Sequence, residues 1–198
     1  MTDHYYTNKP LSKHDEQTFE TVLRGFRLTF TTDAGVFSKD NIDYGSRLLI
    51  ETMDIPDGAK VLDVGCGYGP IGITAAKLSR NNRVTMIDVN ERAVELAGRN
   101  AEENGAGNAR ALISDLYEHV TDQDYDVVLT NPPIRAGKQI VHAIFEGAKQ
   151  VLKTGGSLWV VIQKKQGAPS AYEKLQQLYD HVEEVTKSKG YRIFRAVK

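Results

Sequence analysis

With 198 residues, 40% of them hydrophobic and 26% charged, the chain has the size and balance of one ordinary soluble domain. No apolar run approaches the ~20 residues of a membrane span, and residues 1–10 lack the apolar centre of a signal peptide, so a cytoplasmic location is expected. One cysteine, Cys66, excludes an internal disulfide framework and a multi-cysteine zinc cage, and the five histidines lack metal-ligand spacing, so no metal is expected. The net charge of -1 hides an asymmetry: residues 1–60 carry -3, residues 61–126 carry -5 and residues 127–198 carry +7. A basic face on an acidic body suits contact with RNA, and equally suits a solvated surface.

Residues 24–31 (RGFRLTFT) alternate apolar and polar side chains, as a half-buried strand does. Asp33-Ala34-Gly35 supplies a turn, with Val36-Phe37 as a short returning strand, and residues 43–53 read as a helix. From Lys60 strands alternate with helices, the pattern of a parallel sheet covered on both faces. Strands are expected at 60–64, 83–88, 110–113, 125–130 and 157–162. Helices are expected at 70–78, 91–104, 138–152 (stopped by Gly155-Gly156) and 170–179. Residues 181–185 and 191–196 close the chain as an antiparallel pair. The expected fold is α/β: a doubly wound seven-stranded sheet, mostly parallel with one reversed strand, behind a small hairpin and helix cap. Residues 1–58 form that cap and residues 59–198 the core of one domain spanning 1–198.

Asp63-Val64-Gly65-Cys66-Gly67-Tyr68-Gly69 stands between an expected strand and helix, where glycines let a ligand approach the backbone. Ligands of open α/β sheets bind outside the carboxyl ends of the strands. Asp88 ends the second strand, where a carboxylate can accept hydrogen bonds from two ribose hydroxyls. Gly67-x-Gly69-x-x-Gly72, with Asp88 roughly 20 residues on, also satisfies the dinucleotide fingerprint, so a nicotinamide-dependent oxidoreductase stays open at this point. Asp63 before the glycines and Pro70-Ile71 at the helix start weigh against it.

Asn131-Pro132-Pro133 follows the fourth strand of the core and emerges at the same sheet edge. Two prolines remove two backbone donors and stiffen the turn. The Asn131 side-chain oxygen and the Pro132 carbonyl then present two fixed acceptors. An amino group on a base or amide is planar because its lone pair is delocalised. Acceptors holding both its protons favour a pyramidal nitrogen whose lone pair is free for in-line attack, a task of positioning and electrostatics.

On residues 33–46 (DAGVFSKDNIDYGS), 63–69, Asp88-Val89-Asn90, Ser114-Asp115-Leu116, 131–134 and Gly155-Gly156, the chain resembles class I methyltransferases related to bacterial 16S rRNA guanine-N2 methyltransferases. That resemblance implies S-adenosylmethionine as cofactor and ribosomal RNA as partner. It implies that Gly65, Cys66, Gly67 and Gly69 line the methionine moiety, with Asp63 and Val89 beside the site. Asp88 would hold the ribose, Asp115 (with Leu116) the adenine amino group, and Asn131 the target amine. Phe37, Ser38 and Asp43 would help close the cofactor pocket. Such proteins often carry an aromatic residue after the two prolines; here it is Ile134, which leaves Phe37 or Tyr68 to stack on a flipped base. They can also carry a second, degenerate domain, for which 198 residues leave no room. Arg135, Lys138, Lys164 and Lys165 follow strand ends at the expected active edge and suit phosphate contacts, with His142 a further candidate. Lys187, Lys189, Arg192 and Arg195 extend this track or form a solvated hairpin. Rival readings are methylation of an adenine amino group or a protein glutamine amide, and a non-catalytic RNA-binding protein on the same fold.

Overall fold

A computed structural model describes residues 12–37 and 41–198. Ser38 and residues 1–10 lie outside the described residues. The cap opens with strands β1 (Gln17–Leu23) and β2 (Phe26–Thr32), an antiparallel hairpin. Its turn, Arg24-Gly25, has both residues at positive φ (51° and 83°), the two-residue geometry that matches strand twist.

The expected returning strand at Val36-Phe37 is corrected: those residues form a bend, and β2 pairs upstream with β1. The free edge of β2 has another partner. The N–H and C=O of Thr29 bond to the side-chain amide of Asn104, and those of Thr31 to the amide of Asn100, at 2.8–2.9 Å. Two asparagines one helical turn apart thus do the work of a third strand. Asn100 also donates to the Tyr68 carbonyl (2.8 Å), tying the cap to the glycine loop. Asn100→Ala leaves these buried groups unmatched and is expected to cost about 2–4 kcal/mol, measured as a lower midpoint of urea unfolding.

Helix α1 (Tyr44–Thr52) starts at Asp43, whose side chain accepts the Ser46 N–H as an N-cap. The core follows as β3 (Lys60–Val64), α2 (Pro70–Leu78), β4 (Arg83–Asp88), α3 (Glu91–Glu103), β5 (Ala109–Ile113), β6 (Tyr125–Thr130), α4 (Lys138–Val151), β7 (Leu152–Gln163), α5 (Ala168–Leu178), β8 (His181–Ser188) and β9 (Tyr191–Val197). Each helix has a local cause. Pro70 opens α2, and Asn90 caps α3 by accepting from the N–H groups of Arg92 and Ala93. In α4 the buried Val141, Ile144, Phe145, Ala148 and Val151 recur at helical spacing.

The seven-stranded sheet has the order β5-β4-β3-β6-β7-β9-β8. All neighbours from β5 to β7 are parallel, and β9 is antiparallel to both β7 and β8. Alternation along the central strands feeds two cores. Val61, Met86 and Val127 face the side of α1, α2, α3 and the cap, whereas Leu62, Val128 and Leu158 face α4 and α5. The chain order reverses between β3 and β6, so a crevice opens there at the carboxyl ends.

Gly155-Gly156 does not stop α4, which ends at Val151; β7 begins at Leu152 and carries the glycines in an irregular stretch. Tyr125 pairs with Leu152 and Val127 with Ser157, so extra residues are absorbed there. Gly155 has a φ of 82°, and a Cβ on Gly156 would stand 2.9 Å from the Tyr125 carbonyl. Among the described residues no helix is long and apolar enough to cross a membrane.

Candidate active site

The ends of β3 and β6 are adjacent, and the Thr130 hydroxyl donates to the Val64 carbonyl (2.9 Å), locking one strand end to the other. The glycine loop leaves β3 and turns back over β4: the N–H groups of Gly65 and Cys66 both donate to the Ile87 carbonyl at 2.9 Å. Asp88 spans the loop, one oxygen accepting the Gly67 N–H and the other the Asn90 N–H, each at 2.9 Å. Between these strand ends lies a cavity of about 420 Å³.

Of the residues expected at the cofactor, Phe37, Asp43, Gly65, Cys66, Gly67, Asp88, Val89, Asp115, Leu116 and Asn131 line this cavity, with Pro132 and Pro133 beside them. Gly65 and Gly67 hold positive φ (72° and 56°), and the space where a Cβ would stand is open. The backbone there is bare toward the cavity. Ser114 shapes the third wall: its hydroxyl donates to the Leu116 carbonyl and accepts the His119 N–H. Val36, Ile71, Ile87, Ile140 and Ile144 supply apolar surface.

Asp63 and Gly69 are not among the lining residues. Gly69 starts α2. Asp63 is fully buried; one oxygen accepts the Gly72 N–H (2.9 Å) and the other has no partner. It anchors the start of α2 from beneath. Burial, with the nearby Asp88 charge, pushes the Asp63 carboxyl up to about 7 against its ordinary 3.8. Its unfolded counterpart ionises freely above 3.8, whereas the folded form resists until about 7. Folding stability therefore falls as pH rises across that window, by up to about 4 kcal/mol, and levels off above it. Asp63→Asn removes the ionisation, so the ligand-free variant is expected to show a flatter melting temperature between pH 5 and pH 8 than the native chain.

Burial also raises the Asp88 carboxyl, an effect the N–H groups of Asn90, Gly67 and Val89 partly offset. Burial and the charges of Asp88 and Asp63 push the Cys66 thiol well up, so it rests as a thiol wall residue rather than a nucleophile.

The Asn131 side chain is held from behind. Its Nδ2 donates to Ser46 Oγ (3.0 Å) and to Asp43 Oδ1 (3.3 Å). A carboxylate can only accept, so the amide face toward α1 must be the NH₂. Asp43, Ser46 and Asn131 all line the cavity, and Oδ1 is the end of the amide not engaged with α1. Ser46, given no role on sequence grounds, is thus part of this corner; the only sequence trace is the N-cap spacing from Asp43 to Ser46.

The two aromatic candidates separate. Tyr68 is 2% exposed, packed edge-on to Phe19 and Phe30 at 6.2 and 5.7 Å. Tyr68 also lines the cavity, but its ring packs into the cap and leaves little face for a base. Phe37 is 42% exposed at the cavity. Ile134 packs against the α4-side core.

Arg135 and Lys138 are exposed in and after the short turn Ile134–Ala136, and Lys164 and Lys165 are exposed in the turn at the end of β7. None of the four lines the cavity; Arg135 and Lys138 flank its lining residues Ala136 and Ile140 in the chain. The β8–β9 turn joins them, since the Lys164 N–H donates to the Gly190 carbonyl (2.7 Å). Lys189 stands over the Tyr44 ring (4.8 Å). Arg192 and Arg195 pair instead with Glu184 and Glu183. His142 does not line the cavity; its ring stacks on Phe145. Among the described residues no three His, Cys, Asp or Glu side chains gather as a metal site.

The model of the methyltransferase small domain matches residues 27–195. The chain is 54% identical to the Bacillus subtilis uncharacterized protein YbxB over the full length of both. It is 34% identical to ribosomal RNA large subunit methyltransferase G of Streptomyces avermitilis, covering 85% of this chain and 45% of that one. It is 31% identical to ribosomal RNA small subunit methyltransferase C of Escherichia coli, covering 86% and 49%. The chain thus spans about half the length of these ribosomal RNA methyltransferases. Among solved structures, the T. thermophilus 16S rRNA N2 G1207 methyltransferase in complex with AdoMet and guanosine superposes with a TM-score of 0.84 at 26% identity, covering 96% of this chain and 52% of that one. A glycine loop and an Asn-Pro-Pro turn on adjacent strand ends, with a family model matched over most of its length, place this chain in the methyltransferase small-domain family of class I S-adenosylmethionine-dependent methyltransferases.

Proposed function

We propose that the chain methylates the exocyclic N2 of a guanine in small-subunit ribosomal RNA. The observation that carries this reading is Asn131, a cavity-lining residue whose amide nitrogen is bound to Asp43 and Ser46, so that its oxygen is the end available to a substrate amine. The residues around the cavity fit S-adenosylmethionine: bare backbone at Gly65 and Gly67 for the methionine part, Asp88 for the ribose hydroxyls, and Asp115 for the adenine amino group. The cofactor, when bound, supplies an electrophilic methyl group on a sulfonium.

Asn131 Oδ1 and the Pro132 carbonyl accept the two amine protons and hold the nitrogen in line with that methyl group. The amine lone pair so freed would accept the methyl group, with S-adenosylhomocysteine as the leaving group, and the surplus proton would pass to water. Phe37 offers a ring on which the flipped base stacks, in place of the aromatic residue that Ile134 replaces. Arg135, Lys138, Lys164 and Lys165 position the RNA backbone through phosphates. The choice of small-subunit RNA and of guanine rests on the names of the E. coli relative and the T. thermophilus structure; the S. avermitilis relative acts in name on the large subunit. The exposed basic residues that follow β6 and β7 favour an RNA substrate over a protein amide.

Mass spectrometry of ribosomal RNA from cells lacking the protein tests this. Loss of N2-methylguanosine at one small-subunit position is the expected result. An unchanged small-subunit RNA, or loss of a methylated adenine, overturns it.

A further inference from the structure

The proposed use of Asn131 requires its side-chain oxygen to face the substrate, yet an asparagine amide is nearly symmetric in shape. A half-turn about its last side-chain bond would present NH₂ to the target amine, donor against donor. Something must set the orientation. Ser46 cannot do so alone, because a hydroxyl both donates and accepts and would satisfy either face of the amide. The Asp43 carboxylate, 3.3 Å away, accepts only.

We propose that Asp43 is the positioning residue that selects the productive amide orientation of Asn131; this rests on the amine-methylation reading above. Asp43 is itself fixed. Its Oδ1 accepts the Ser46 N–H (2.9 Å) at the start of α1, so backbone geometry sets where the acceptor stands. The next residue, Tyr44, bonds through its hydroxyl to Ser188 Oγ (2.7 Å) at the tip of the β8–β9 hairpin. The orientation of a group that follows β6 is thus set by a helix start 88 residues earlier in the chain. A carboxylate on the far side of the amide also polarises it, making the oxygen facing the substrate a better acceptor.

The variants that test this separate orientation from helix capping. Asp43→Gly removes the acceptor but keeps a residue well tolerated at an N-cap. Asp43→Asn keeps both an acceptor oxygen and a good cap. Expected for Asp43→Gly, measured at saturating S-adenosylmethionine because Asp43 also lines the cavity, is a fall in kcat of about tenfold, since a freed Asn131 side chain loses its pre-set geometry. Asp43→Asn restores most of the rate. In an Asn131→Ala background, Asp43→Gly adds no further loss, as a double-mutant cycle between coupled groups requires. The Asn131 side-chain amide signals in nuclear magnetic resonance spectra, identified by their absence in Asn131→Ala, are expected to move in Asp43→Gly and to hold in Asp43→Asn. Unmoved signals in Asp43→Gly, a kcat within twofold of the native chain, or an equal loss in the Asn131→Ala background overturns the proposal. The resonance arm needs no methyl transfer, so it tests the orientation even if the substrate proves to be a different one.

Discussion

Replacing Asn131 with alanine is expected to lower methyl transfer by about 10²–10³-fold while S-adenosylmethionine binding stays within about twofold. The magnitude follows from removing one preorganised polar partner aimed at charge that develops in the transition state. The Pro132 carbonyl survives the change, and so does the sheet edge that aligns the reactants, which accounts for a residual rate. Cofactor affinity is spared because the glycine loop, Asp88 and Asp115 make up the other side of the cavity. A second consequence is local. Without the amide, Ser46 Oγ loses a partner and Asp43 keeps only its capping bond, so α1 should remain folded. Single-turnover transfer assays and calorimetric titration read the two quantities separately. An unchanged rate would remove Asn131 from the chemistry.

Asp88→Ala has the complementary signature: cofactor binding weakened by about 100-fold or more, with a much smaller effect on the rate once the site is saturated. Each hydrogen bond from a ribose hydroxyl to a charged acceptor contributes about 1.5–3 kcal/mol. The same carboxylate holds the Gly67 and Asn90 N–H groups, so the loop it organises also loosens. Burial raises this carboxyl, and its neutral form is a poorer acceptor. Affinity is therefore expected to decline as pH falls through the raised value, in calorimetry across a pH series. Asp88→Asn should abolish that dependence while binding more tightly than Asp88→Ala.

The core of the fold and the two halves of the site were legible because their signals are local. Apolar runs such as residues 125–130 mark strands buried on both faces, and a glycine loop and an Asn-Pro-Pro turn after such strands must emerge at one edge. What stayed hidden is long-range. Residues 17–23 are polar enough to pass for an irregular arm, because β1 buries only alternate side chains against the cap. Missing that strand hid the fate of Tyr68, whose ring Phe19 and Phe30 enclose. Nor does any local pattern announce that Asn100 and Asn104, ordinary polar helix residues in sequence, would complete the edge of β2. Gly155-Gly156 reads as a helix stop because glycine pairs usually break helices; the register shift against β6 that uses them is visible only once the strands pair. Asp43 was read as a wall of the cofactor pocket, and it does line the cavity. Its bond to Asn131 depends on tertiary structure alone.

Passage of a methyl group from this cavity to a guanine N2 can be followed with labelled cofactor. Its most direct test is transfer from methyl-labelled S-adenosylmethionine to ribosomal RNA and to isolated small subunits, followed by digestion to nucleosides and separation. Label in N2-methylguanosine at a single small-subunit site is expected. Label in a methylated adenosine, in a protein fraction, or in no product would contradict it.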